Sequence, residues 1–149
     1  MEIELKAQRS QVKLGEVTVL PAMCSILSTG GARTSVDLIC VIDVSGSMSG
    51  EKIELVRETM KFLIETLTPS DRLSIITFNS SGNRVCGLKT VTQENMVVFS
   101  NHINSLFASG GTNIMSGMEL ALKTIRDRKI PNKVTSVFLL SDGQDKGAE

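Results

Sequence analysis

Asp43, Ser45 and Ser47 stand at alternate positions in Asp43-Val44-Ser45-Gly46-Ser47-Met48-Ser49-Gly50, a polar loop closed by glycines. Carboxylate and hydroxyl oxygens are hard donors, suited to magnesium or manganese rather than to zinc or copper. Two more such donors lie further on: Thr112 in Ser109-Gly110-Gly111-Thr112, and Asp142 in Leu140-Ser141-Asp142-Gly143. Magnesium takes octahedral oxygen coordination and keeps several waters, so a few protein ligands suffice. If the three segments converge, Asp43, Ser45, Ser47, Thr112 and Asp142 supply that sphere. Two aspartates only neutralise a divalent ion, and the hydroxyls add no charge. The metal then stays electrophilic and accepts one acidic oxygen from elsewhere.

A sheet with alternating strands and helices would bring these loops to one end. Val36 to Ile42 is a nearly continuous apolar run, the pattern of a strand buried on both faces. Ile53, Val56, Met60, Leu63, Ile64 and Leu67 recur at spacings of three and four and mark an amphipathic helix, which Pro69 stops. Arg72 to Phe78 reads as the next strand, with a weaker antiparallel partner near Arg84 to Leu88. Thr92 is placed to cap a helix running to about Leu106, and a third helix spans Asn113 to about Arg128. After the Pro131-Asn132 break, Val134 to Leu140 reads as a further buried strand. The expected fold class is α/β, Rossmann-like, a mainly parallel sheet flanked by helices on both faces. In such sheets ligands gather beyond the carboxyl ends of the strands, where the Asp43 and Asp142 clusters fall.

Ile3 to Leu27 alternates differently, around Gly15 and Pro21, and reads as two or three short strands. The expected division is therefore an N-terminal β-strand extension over 1–33 and the α/β domain over 34–149.

On these residues the chain resembles the von Willebrand factor type A domain, whose metal-ion-dependent adhesion site combines a D-x-S-x-S loop with a distant Thr and a distant Asp. Asp43, Ser45, Ser47, Thr112 and Asp142 match all five positions, in order, within a resemblance covering about Val36 to Asp145. The wording Val41-Ile42-Asp43-Val44-Ser45-Gly46-Ser47-Met48, with Pro69-Ser70-Asp71-Arg72-Leu73, is most similar to intracellular eukaryotic members. Several of those are multidomain proteins with ubiquitin-ligase or scaffold roles. The resemblance implies a divalent cation, Mg2+ or Mn2+, completed by an Asp or Glu of a protein partner: binding rather than turnover. It also implies a domain cut short after its fourth sheet strand, whose exposed apolar edge invites self-association.

Blander readings stand beside these. Ser49 would serve as a helix cap without any metal, Thr112 as the cap of the third helix, and Asp142 as a turn former before Gly143. Asp145 reads as a solvated loop charge. The lone His102 reads as surface or packing, and Met60 and Met118 as core. A scaffold with a structural or unused metal site is the alternative function. A magnesium-dependent phosphoryl-transfer enzyme with Asp43 as nucleophile would need a second acid where Ser45 stands. Gly46 and Gly50 have the outer spacing of a nucleophile elbow, but Met48 occupies the nucleophile position.

Composition narrows the classes further. Sixteen basic residues balance sixteen acidic ones, and the aromatics are five Phe without Trp or Tyr. Nucleic acid and anionic membranes are therefore not expected as partners. Cys24, Cys40 and Cys86 are odd in number and widely spaced, which is neither a disulfide framework nor a zinc ribbon. Asn79-Ser80-Ser81 fits a glycosylation sequon, which matters only in secreted proteins. With a charged, alternating N-terminus and no apolar run near 20 residues, a cytoplasmic setting is expected.

Overall fold

Val36–Asp43 (β3) is the axis around which the domain is built. It pairs in parallel with Arg72–Phe78 (β4) on one side and with Val134–Leu140 (β6) on the other. Gly82–Thr90 (β5) adds antiparallel to β4, giving a four-stranded sheet in the order β5-β4-β3-β6. The structure is a computed structural model that describes residues 2–7, 22–27 and 33–143. The chain divides into two units, 1–33 and 34–149. In the first, Glu2–Ala7 (β1) and Ala22–Leu27 (β2) form an antiparallel pair with Glu2 opposite Leu27.

The apolar run of β3 packs on both faces. Leu38, Cys40 and Ile42 point to a core with Ile53, Val56, Met60 and Ile64 of Glu51–Thr66 (α1) and Phe99 and Ile103 of Gln93–Asn104 (α2). Ile39 and Val41 point the other way, to Ala121 of Ile114–Arg126 (α3), with Ile76 and Phe78 of β4. This period-two split puts one or two helices on each face, as the sequence pattern required. Burying each large aliphatic side chain contributes roughly 1.5–3 kcal/mol. Met60 is fully buried and Met118 packs against the second cluster. Cys40 is fully buried, and burial pushes its thiol up to about 12, so it behaves as a small apolar residue. Cys86 is buried as well and its thiol is raised by burial, partly offset by Lys89. The side chain of Cys24 lies outside the described residues.

α3 lies close against the sheet because glycines let it. A Cβ on Gly117 would stand 2.8 Å from Phe78 Cδ1 and 2.9 Å from Val41 Cγ1. A Cβ on Gly82 would stand 2.5 Å from the Ser116 carbonyl oxygen. Helix ends follow the sequence: Thr92 Oγ1 accepts from Asn95 N at 3.3 Å, and Asn113 Oδ1 accepts from Ser116 N at 3.0 Å. His102, in the last turn of α2, is half-buried.

One strand departs from expectation. Val134–Leu140 forms, but it is not buried on both faces: Val134 is 42% exposed, Phe138 47% and Leu139 46%. Among the described residues β6 is an edge strand, paired on one side only. An apolar run alone does not tell an edge strand from a central one.

Candidate metal centre

The site begins where β3 ends. Asp43 is fully buried. Its Oδ1 accepts from the Ser45 amide at 2.8 Å, and its Oδ2 accepts from Ser141 Oγ at 2.8 Å. Ser45 is also buried, and its hydroxyl lies 3.1 Å from that of Ser47. The chain then makes a single 3-10 turn, Gly46–Met48, and the buried Met48 side chain pins the turn to the core.

A second loop is stitched to the first through main-chain atoms. Ser109 N donates to Val44 O at 2.7 Å, and Gly46 N donates to Gly110 O at 3.0 Å. The residues after β4 brace that loop from the far side: Asn79 Nδ2 donates to Ser109 O at 3.1 Å and Gly111 N to Ser80 Oγ at 2.9 Å. Gly110 has φ +79°, a left-handed conformation that favours glycine. Thr112 follows directly, half-buried, and among the described residues its hydroxyl makes no hydrogen bond. The third segment arrives from β6. Ser141 bonds Asp43, and the neighbouring Asp142 receives Lys52 Nζ on Oδ2 at 2.6 Å.

Two of the blander readings do not describe this arrangement. Gly50 precedes α1 and no side chain caps that helix; Ser49 Oγ donates instead to Gly46 O at 2.7 Å. The cap of α3 is Asn113, which leaves Thr112 without that task. Asp145 lies outside the described residues. The sequence pointed to neither Ser141 nor Lys52. Ser141 had one available signal, its place beside Asp142 at the end of a strand. Lys52 had none, being 90 residues from its partner.

The electrostatics single out Asp43. At the other end of β3 the equally buried Asp37 receives Arg72 Nε and Nη2 at 2.7 Å each, Arg128 Nη1 at 2.6 Å and the Asn132 amide at 3.1 Å. Burial raises its pKa, but these donors and the Arg72 charge outweigh it and hold Asp37 below the usual carboxylate range. Asp43 has no such cation: among the described residues its carboxylate meets only neutral donors. A buried carboxylate facing neutral groups alone carries a desolvation cost that a nearby cation would offset. The oxygens beside it are the hydroxyls of Ser141, Ser45 and Ser47, and oxygen donors suit a hard divalent ion. Among the described residues no three His, Cys, Asp or Glu cluster as a metal site, so any ion here depends on hydroxyls.

Comparison with known proteins agrees with the fold. The von Willebrand factor type A domain family matches residues 38–144. The chain is 33% identical over 124 residues to the E3 ubiquitin-protein ligase WAVH1 of Arabidopsis thaliana, covering 75% of this chain and 18% of that protein. It is 37% identical over 116 residues to inter alpha-trypsin inhibitor, heavy chain 4, of Mus musculus, covering 73% of this chain and 12% of that one. It thus spans less than a fifth of the length of either relative. Among solved structures, the vWF domain of the type V pili tip protein Mfa5 from Porphyromonas gingivalis has a TM-score of 0.67 at 18% identity, over 77% of this chain and 40% of that chain. No helix among the described residues is long and apolar enough to cross a membrane. Fold, loop order and sequence likeness agree: this chain belongs to the von Willebrand factor type A domain family.

Proposed function

We propose that the domain is a metal-dependent protein-interaction module. Asp43, Ser45, Ser47, Thr112 and Asp142 would hold Mg2+ or Mn2+, directly or through water. The bound cation would supply a Lewis-acidic point of attachment for an Asp or Glu of the partner. The observation that carries this reading is the fully buried Asp43, with hydroxyls of Ser45, Ser47 and Ser141 near it and no cation among the described residues. The chain's own part is positioning. Main-chain bonds fix the loops and Ser141 orients Asp43, while Lys52 holds Asp142 until a cation displaces it.

This role is binding, not turnover. The relative named as a ubiquitin ligase is over five times longer than the stretch that matches, so ligase chemistry need not reside here. The test is thermal unfolding with excess MnCl2 against chelator, on the parent and on Asp43→Asn and Ser47→Ala. A ligand bound only by the folded state stabilises by about 2.7 kcal/mol at a hundredfold excess over Kd. We expect the midpoint to rise in the parent and to stay flat in both variants. Manganese should also broaden the amide resonances of residues 43–47 before any others. A flat parent midpoint together with unselective broadening would overturn the proposal and favour a scaffold that uses another surface.

A further inference from the structure

A second concave site is built beside Asp37, which stands about 20 Å from Asp43 along β3 at the usual strand rise. A cleft of about 220 Å³ lies there, lined by Arg72, Arg84, Leu88, Thr124, Asp127 and Arg128. Three guanidinium groups reach it from three different elements: Arg72 opens β4, Arg84 stands in β5, and Arg128 follows α3. A cleft lined by one sign of charge focuses potential and raises the local concentration of a counter-ion.

The buried Asp37 answers part of that charge. It takes Nε and Nη2 of Arg72 and Nη1 of Arg128, and so fixes both side chains. Arg72 Nη1 and Arg128 Nη2 remain, and they have no hydrogen-bond partner among the described residues. The guanidinium of Arg84 pairs with no described residue, including Asp127, the acid on the wall. Three positive charges thus meet two carboxylates, one of them wholly occupied behind the wall. The carbonyl end of α3 would repel an anion, but Arg128 Nε already covers it by donating to Ile125 O at 2.9 Å. The cleft is smaller than the roughly 300 Å³ at which pockets for drug-sized molecules begin, so it suits a group of few atoms. A guanidinium fork matches two oxygens of phosphate, and a single N–H still donates a charge-assisted bond to one; Arg84 offers the first, Arg72 and Arg128 the second.

We infer that Arg72, Arg84 and Arg128 form a binding site for a small soluble phosphate or phosphate monoester, separate from the Asp43 loops. Two arginines are presented ready-made by Asp37, and Arg84 closes on the ligand from β5. The overall charge of zero means that attraction is local, so binding should depend on the Arg84 fork and on the single nitrogens left on Arg72 and Arg128, not on bulk charge.

The test is thermal unfolding of the whole chain in chelator, titrated with inorganic phosphate against sodium chloride of equal ionic strength. Arg84→Gln is the diagnostic variant, because Arg84 is exposed and takes no part in the Asp37 cluster. The expected result is a saturable rise in the parent with half-effect in the millimolar range, and a half-effect about tenfold higher in Arg84→Gln, as for loss of one charged hydrogen bond. Arg84→Lys keeps the charge without the fork and should fall between them. An equal rise in parent and Arg84→Gln would mean that phosphate acts as an excluded salt, and the inference fails. No rise in the parent also sinks it. Phosphatidic-acid vesicles separate the two sources of phosphate: co-sedimentation of the parent without a response to dissolved phosphate would assign the cleft to a lipid headgroup and overturn the soluble ligand.

Discussion

Lys52 Nζ lies 2.6 Å from Asp142 Oδ2, bringing the first turn of α1 against the loop that follows β6. The carboxylate is largely shielded, at 11% exposure, whereas the lysine remains 48% exposed. An ammonium therefore occupies an oxygen that the proposed cation would use. If a divalent ion takes Asp142, Lys52 must let go. Lys52→Met should then bind Mn2+ about fivefold more tightly, the equivalent of roughly 1 kcal/mol for a partly exposed pair. Isothermal titration calorimetry checks this, and unchanged or weaker binding would show that Lys52 does not compete.

Ser141 supplies one of the two hydrogen bonds seen on the buried Asp43 carboxylate. In Ser141→Ala that oxygen loses its donor while staying out of water. The expected cost is about 1–3 kcal/mol in urea unfolding with chelator present. Equal unfolding midpoints would mean that water replaces the hydroxyl at no cost.

Asp37 is the group whose charge should govern acid stability. Its folded carboxyl holds a proton less tightly than the unfolded one, so unfolding at low pH takes up a proton. Its contribution is complete above the unfolded value of about 3.9 and disappears as pH falls through the lower folded value. Asp37→Asn leaves Arg72 and Arg128 without their buried partner and should cost about 3 kcal/mol at pH 7. The gap between parent and variant should narrow below about pH 4. A gap constant from pH 7 to pH 2 would contradict this assignment.

Gly117 sets propensity against packing. Alanine in a helix interior gains about 1 kcal/mol over glycine. The added methyl would, however, meet Phe78 Cδ1 at 2.8 Å and Val41 Cγ1 at 2.9 Å, and overfilling a packed core costs about 1–3 kcal/mol. Gly117→Ala should therefore be neutral to destabilising by about 2 kcal/mol. A clear gain in denaturant midpoint would show that α3 shifts away without loss.

Most of the framework was legible because it rests on local periodicity. The alternation within Leu38 to Ile42 and the three-four spacing from Ile53 to Ile64 each specify a face, and both faces are used as read. Thr92 gave a helix start through a single side chain. What escaped depends on partners far along the chain. Asp37 looked like a polar interruption in an apolar run, and nothing nearby announces Arg72, Arg128 and Asn132 as its donors. Lys52 sits on a helix face whose outward direction alone suggests solvent, yet its ammonium turns to Asp142. The exposure of β6 is a fact of sheet order, set by which strands neighbour it. Asp43, Ser45, Ser47, Thr112 and Asp142 are nominated by type and spacing, but the bonds that join the first two loops use amides and carbonyls, which carry no letter in a sequence.

That last feature bears on how such a domain can diversify. The contacts Ser109 N to Val44 O and Gly46 N to Gly110 O are made by main-chain atoms, and the glycine and the braces that support them lie at 110, 79 and 80, outside positions 45, 47 and 112. The frame of the loops is thus largely independent of what the loops display. Under the proposed function, exchanges at 47 and 112, which are only half-buried, would alter which ion and partner are preferred while the main-chain frame stays put. A laboratory selection that randomises those two positions should recover many folded chains, which makes this end of the domain a cassette for redesign.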